Sequence, residues 1–266
     1  MWIEFFGSVG SGKSSLAYAL KEQLKMAEYP VSSPREALDT WLARSLPKAV
    51  LSGRTGHFTR HAFLTAWQMR FSLKHSKLVW QAWKAGQKLR HLPGWHRNII
   101  LGLFFEVAGW YEGISNTIPP NHMILLDEGL AHRSINLFAW QTEDLDTKMI
   151  QAYAENLPRV PLTILVSAPL QICLERAYSR GLPIRLRGKD PETIQRFIEN
   201  SHTVASLAGE TLISKGRPVI KIDNSLGLKQ SITVLCRQIN ETALFQRYLM
   251  RPYRMSFSQT AEEKML

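Results

Sequence analysis

Residues Gly7 to Ser14 read Gly-Ser-Val-Gly-Ser-Gly-Lys-Ser, and that spacing is the chemistry of a triphosphate cradle. Gly7, Gly10 and Gly12 let the backbone turn with its N–H groups inward. Lys13 supplies an ammonium to the β- and γ-phosphates, and Ser14 offers a hydroxyl to Mg²⁺. Ser8, Val9, Ser11 and Ser15 complete the loop and the first helical turn, whose amides and dipole add partial positive charge. The motif therefore implies a nucleoside triphosphate, with ATP and Mg²⁺ as the expected cofactors.

Acidic and basic residues further along could serve the same chemistry. Asp127 and Glu128 end the apolar run His122-Met-Ile-Leu-Leu-Leu, where one carboxylate could hold the metal and the other orient an attacking group. Glu36 follows a short strand candidate and has two readings, a base facing the γ-phosphate or a first-turn helix acid beside the dipole. Arg176 and Arg180 share a helix face. Arg185 and Arg187 sit on a segment bounded by Gly181 and Gly188, which suits a lid over about 180–190 carrying guanidinium groups to developing charge.

The elements that must position these groups alternate along the chain. Strands are expected at Met1–Phe6, Tyr29–Ser33, His122–Asp127, Leu162–Ser167 and Pro218–Asp223. Helices are expected behind the glycine loop and over about Asp144–Asn156, Leu170–Arg180, Pro191–Ser214 and Leu228–Tyr248. Continuous apolar strands separated by helices imply an α/β fold, a mainly parallel sheet with helices on both faces. Residues 1–250 are expected to form one domain, and the polar, aperiodic 251–266 a loosely held tail.

The charge is uneven. Of 33 Lys and Arg, 11 fall between Thr40 and Phe105, a stretch without Asp or Glu; the rest of the chain balances at 22 of each sign. The same stretch holds five of eight tryptophans and five of eight histidines, within a helical insertion over about 40–115. Arg60 to His91 reads as one basic amphipathic helix. Its basic surface has three readings: a solvated face over a core-facing stripe, a site for an anionic or phosphorylated acceptor, or a peripheral contact with an anionic membrane. Nothing beyond charge suggests nucleic acid. Cys173 and Cys236 are too few and too widely spaced for a disulfide framework, and no early basic region with a cleavage site precedes the first strand, so a cytoplasmic protein, monomeric or homodimeric, is expected.

The chain resembles the thymidylate kinase and deoxynucleoside kinase branch of phosphate-loop kinases. The resemblance rests on Gly7–Ser14, on Arg35-Glu36 with Trp41 beyond, on Pro169–Arg180 followed by Arg185 and Arg187, and on Val219-Ile-Lys-Ile-Asp-Asn-Ser225. It implies a three-layer fold with five strands, phosphoryl transfer from ATP to a small nucleotide-like acceptor, Glu36 as a base, and Asn224 and Ser225 beside the adenine. Asp127-Glu128-Gly129 stands where those kinases carry Asp-Arg-Tyr or Glu-Arg-Ser. An arginine expected near the acceptor is therefore missing from that position, unless Arg133 takes its place.

Overall fold

A computed structural model describes residues 1–51, 53–119, 122–142, 144–242 and 245. The sheet contains five parallel strands in the order β2-β3-β1-β4-β5: β1 Trp2–Phe6, β2 Val31–Ser32, β3 Met123–Leu126, β4 Leu162–Ser167 and β5 Val219–Asp223. β1 lies at the centre and every residue in it is buried. Its alternation divides the core, with Ile3 and Phe5 packed among Leu16, Leu20 and Ile232 on one face, and Trp2 and Phe6 among Phe104, Ile135 and Ala208 on the other. Burial on both faces explains why the strands read as near-continuous apolar runs.

The chain leaves β1 through the glycine loop into α1 (Lys13–Met26), then passes through β2 into five helices: α2 Pro34–Ser45, α3 Lys48–Leu51, α4 Gly53–Lys74, α5 Ser76–Lys88 and α6 Gly94–Thr117. Later come α7 Leu130–Phe138, α8 Thr147–Glu155, α9 Leu170–Ser179, α10 Pro191–Ser214 and α11 Leu228–Glu241. The neighbours of β1 are β3 on one side and β4 on the other, so the loop after β1 opens at the point where the strand order reverses, the usual position of a ligand crevice in such sheets.

Three expectations are corrected. The single basic helix from Arg60 to His91 is two helices, because His75 leaves helical geometry at φ −120° and ψ 41°, its ring packed 4.5 Å from Phe71 and 6.2 Å from Tyr111. The last helix ends at Glu241 rather than Tyr248, which lies outside the described residues, as does the expected tail 251–266. Helix α7 was not anticipated. It is only nine residues long, and although its apolar residues gather on one side, its polar side with His132, Arg133 and Asn136 is buried as well.

α4 and α6 approach closely because α6 carries small residues at the contact. A Cβ at Gly109 would collide with Leu64, and one at Gly113 with the Trp67 ring. Glu112, fully buried beside them, takes Arg70 Nε at 2.7 Å and Lys74 Nζ at 3.5 Å, which ties two insertion cations to the core.

Candidate active site

The glycine loop keeps its shape by contacts that leave no room for side chains. Gly10 has φ 83° and its Cβ would strike the Cys173 backbone. Gly12 has φ 86° and its Cβ would strike the Asn224 amide. Asn224 donates to the Ser11 carbonyl at 2.8 Å and accepts from the Ser231 hydroxyl at 2.8 Å. Asn224 thus braces the loop through its side chain. Ser225 turns away through its amide, which donates to Asp223 at 2.9 Å. Val9 N–H faces the Ser201 hydroxyl at 3.4 Å, and the Ser8 hydroxyl pairs with the Cys173 thiol at 3.4 Å. Ser14 and Ser15, in the first turn of α1, remain exposed.

Lys13 is buried at the start of α1, 3.6 Å from Glu128 Oε1. Burial lowers its ammonium pKa, and Glu128 and Asp127 work against that. For Glu128, burial alone would raise the carboxyl pKa, but His132 at 3.3 Å, Lys13, and Arg133 at 3.2 Å outweigh it and hold the group well below the ordinary carboxylate range. Glu128 is therefore an ionised acceptor clamped between cations. His132, fully buried, is pushed down to about 3 by burial and by Lys13, so it is neutral at pH 7. Burial likewise raises Asp127, against Lys13 and a hydrogen bond from Ser14.

Helix α7 delivers the groups that periodicity did not reveal. Its N-terminus is fixed by Glu4 of β1, whose Oε1 accepts the Ala131 N–H at 2.5 Å, and a Cβ at Gly129 would overlap that carboxylate. Burial pushes the Glu4 carboxyl up to about 7, against the Ala131 and His132 amides and Arg133. Tyr153 of α8 closes the other side by donating to the Leu130 carbonyl at 2.9 Å. Held this way, α7 projects His132 and Arg133 toward Glu128 and Asn136 toward the lid. Arg185 Nη1 donates to Asn136 Oδ1 at 2.5 Å, and its guanidinium lies 5.5 Å from the Phe197 ring centroid. The lid segment contains one 3₁₀ turn, Ile184–Leu186.

Several buried polar atoms here have no protein partner among the described residues. The donors are Arg133 Nε and Nη1, Arg185 Nε, Arg176 Nη1 and Asn136 Nδ2. Asp127 Oδ1 is an unpartnered acceptor, and Ser11 Oγ and the two His132 ring nitrogens also lack a hydrogen-bond partner among the described residues. Buried donors left unpaired are expensive, so this set suits a polyanion that supplies oxygens, while Asp127 Oδ1 with the Ser14 hydroxyl suits a hard cation such as Mg²⁺.

Three expected residues stand apart from this group. Glu36 forms a capping box, with Oε2 accepting from Ser33 N–H at 2.7 Å, the Ser33 hydroxyl at 2.9 Å and Lys21 Nζ at 2.7 Å. Burial raises its pKa, but the bonds from Lys21 and Ser33 together outweigh it and hold it at about 2. Of the two readings of Glu36, its contacts describe the first-turn helix acid, with the carboxylate committed to the cap and to Lys21. Arg187 is exposed and donates to the Leu182 carbonyl of its own segment at 3.1 Å. Arg180 is exposed at the end of α9, although close enough to depress Lys13 slightly. Arg176 by contrast reaches back to the Asn224 carbonyl at 2.9 Å, beside Gly12.

No family model and no curated protein sequence matches the chain. Among solved structures, it is similar to deoxyadenosine kinase from M. mycoides with bound dCTP, at 13% identity and a TM-score of 0.47, over 91% of this chain and 100% of that one. The same enzyme with bound dATP gives 13% identity and 0.45 over 90% and 99%, and with dCMP and dCDP bound 15% and 0.40 over 91% and 100%.

Proposed function

We propose that this protein is a phosphate-loop kinase that uses ATP and Mg²⁺ to phosphorylate a small, anionic or nucleotide-like acceptor. The observation that carries this reading is the set of buried, unpartnered donor atoms on Arg133, beside the Glu128 that meets Lys13, on Arg176, beside the glycine loop, and on Arg185 and its partner Asn136. Such a set is costly without an anion and is what a transferring phosphoryl group, gaining charge on its oxygens, requires. Mg²⁺, when bound, would neutralise part of the triphosphate charge, with Ser14 and Asp127 as its protein-side holders.

The roles of the residues follow from their surroundings. The loop amides and Lys13 grip the phosphates. Arg185, drawn inward from the lid by Asn136, and Arg133 from α7 face the charge that develops on transfer. Glu128 stays ionised and accepts the hydrogen bond of the attacking hydroxyl, orienting it; loose phosphoryl-transfer transition states ask for positioning more than for a strong base. An arginine held inside the lid favours a kinase over a nucleotide-driven switch, because a closed lid keeps water from taking the phosphoryl group. The fold and its fully parallel sheet supply the crevice.

The test is ADP release with a panel of nucleosides, nucleoside monophosphates and sugars. Acceleration by one acceptor, with the phosphoryl group recovered on it, is expected. Steady hydrolysis indifferent to every acceptor would instead mark an ATPase.

A further inference from the structure

α5 turns chemically opposite faces in opposite directions. Leu78, Ala82, Ala85 and Gly86 point into the core, whereas Lys77, Trp80, Trp83 and Lys84 face outward. Trp80 and Trp83 are 53% and 46% exposed, their ring centroids 4.9 Å apart and their planes 12° from parallel, and Lys84 Nζ lies 5.1 Å from the Trp80 centroid. The result is an exposed stack of two indole rings with the Lys84 ammonium over one of them. α4 has two apolar stripes and the core uses only one. Leu64, Trp67 and Phe71 meet α6, while Phe58, Ala62, Ala66, Met69 and Leu73 recur every three or four positions on another face. Phe58, Met69 and Leu73 of that second stripe are 74%, 65% and 84% exposed.

We propose that this outer surface of α4 and α5 docks onto an anionic lipid bilayer, with both helices lying in the headgroup plane. Charge complementarity carries the choice of partner: of the 11 basic residues from Thr40 to Phe105, Arg60, Arg70, Lys74 and Lys88 pair with Asp39, Glu112 and Asp146, while Lys77 and Lys84 on the outer face of α5 form no ion pair among the described residues. Tryptophan beside lysine, with aliphatic side chains along the adjacent helix, is the composition that buries in the headgroup and acyl boundary. Among the described residues no helix is long and apolar enough to cross a membrane, so the contact is with one surface. A second copy of the chain would set the Lys77 and Lys84 ammonium groups against their own like charges. Single-stranded nucleic acid needs open ring faces for its bases, but Trp80 and Trp83 already stack on each other, and it offers nothing to Phe58, Met69 or Leu73.

The experiment is co-sedimentation of the full chain with vesicles of phosphatidylcholine alone and of phosphatidylcholine containing about one third phosphatidylglycerol, followed also by tryptophan emission. Binding is expected only to the anionic vesicles, weakening as salt rises. Lys77→Glu with Lys84→Glu lowers it by roughly tenfold or more, and Trp80→Ala with Trp83→Ala removes the emission blue shift; all four side chains are exposed, so both variants keep the wild-type melting transition. No binding to anionic vesicles by folded protein at low salt, equal binding by the variants, tighter binding to single-stranded DNA than to vesicles, or self-association abolished by the tryptophan pair would each overturn the proposal. Lys13→Ala retains vesicle binding, which keeps this result separate from the fate of the nucleotide reading.

Discussion

Arg133 donates from one nitrogen, Nη2, to both the backbone carbonyl and the carboxylate of Glu128, at 2.9 and 3.2 Å. The Arg133 guanidinium is thereby held against the strand-end acid from the first turn of α7, with its Nε and Nη1 buried and without a partner among the described residues. An arginine stabilising a transferring phosphoryl group is worth roughly 10³ to 10⁵ in rate. Arg133→Gln and Arg185→Gln are each expected to lower kcat by about 10² or more, with a smaller change in the KM for ATP. Steady-state kinetics check this, and unchanged kcat in both variants would remove these arginines from the chemistry.

The two candidate bases separate cleanly by substitution. Glu36 is committed to Ser33 and Lys21, so Glu36→Gln should cost about 1 kcal/mol of stability through the weakened cap and leave kcat within the same order of magnitude. Glu128→Gln should instead lower kcat by roughly 10² or more while the protein still melts cooperatively. Reversal of the two results would restore Glu36 as the acid–base group.

Glu4 makes stability depend on pH in a defined direction. Its carboxyl is raised from 4.5 to about 7 on folding, so the folded chain keeps a proton that the unfolded chain releases. The associated stability is full below about pH 4.5 and is lost as pH climbs through about 7, a difference of about 3 kcal/mol at about 1.4 kcal/mol per unit. His132, lowered to about 3, slopes the other way, losing its contribution as pH falls from 6.5 toward 3. Urea titrations of wild type and Glu4→Gln at pH 5 and pH 8 isolate the first effect, because His132 is common to both. The wild type should lose ground against the variant on going to pH 8; a constant difference would mean that Glu4 is ionised throughout.

Much of this arrangement was legible in the residues. The glycine loop, five strands and the helix Pro191–Ser214 follow from local rules: a fixed phosphate-binding spacing, apolar runs buried on both faces, and an Asp190 cap with proline at the first turn. What escaped was set by tertiary contacts. α7 is a short helix whose polar side, His132, Arg133 and Asn136, is buried by tertiary contacts, and Glu4 reads as a flaw in an apolar strand until Ala131 is brought to it across the sheet. The lid arginines looked equivalent in sequence, yet Asn136 draws Arg185 inward while Arg187 bonds its own segment. The break at His75 depends on Tyr111, 36 residues away in the chain and reachable only once α6 has folded back.

The measurement closest to the centre of the account is titration calorimetry of the folded protein with ATP and magnesium, beside the variant Lys13→Ala. Arg133 continues to pair with Glu128 when Lys13 is removed, so the variant should keep its melting transition. Wild type is predicted to bind ATP with saturable heat and the variant to give none. Absence of heat from wild type with both ATP and GTP, or equal binding by the variant, would contradict the assignment of the Gly7–Ser14 loop as a triphosphate cradle.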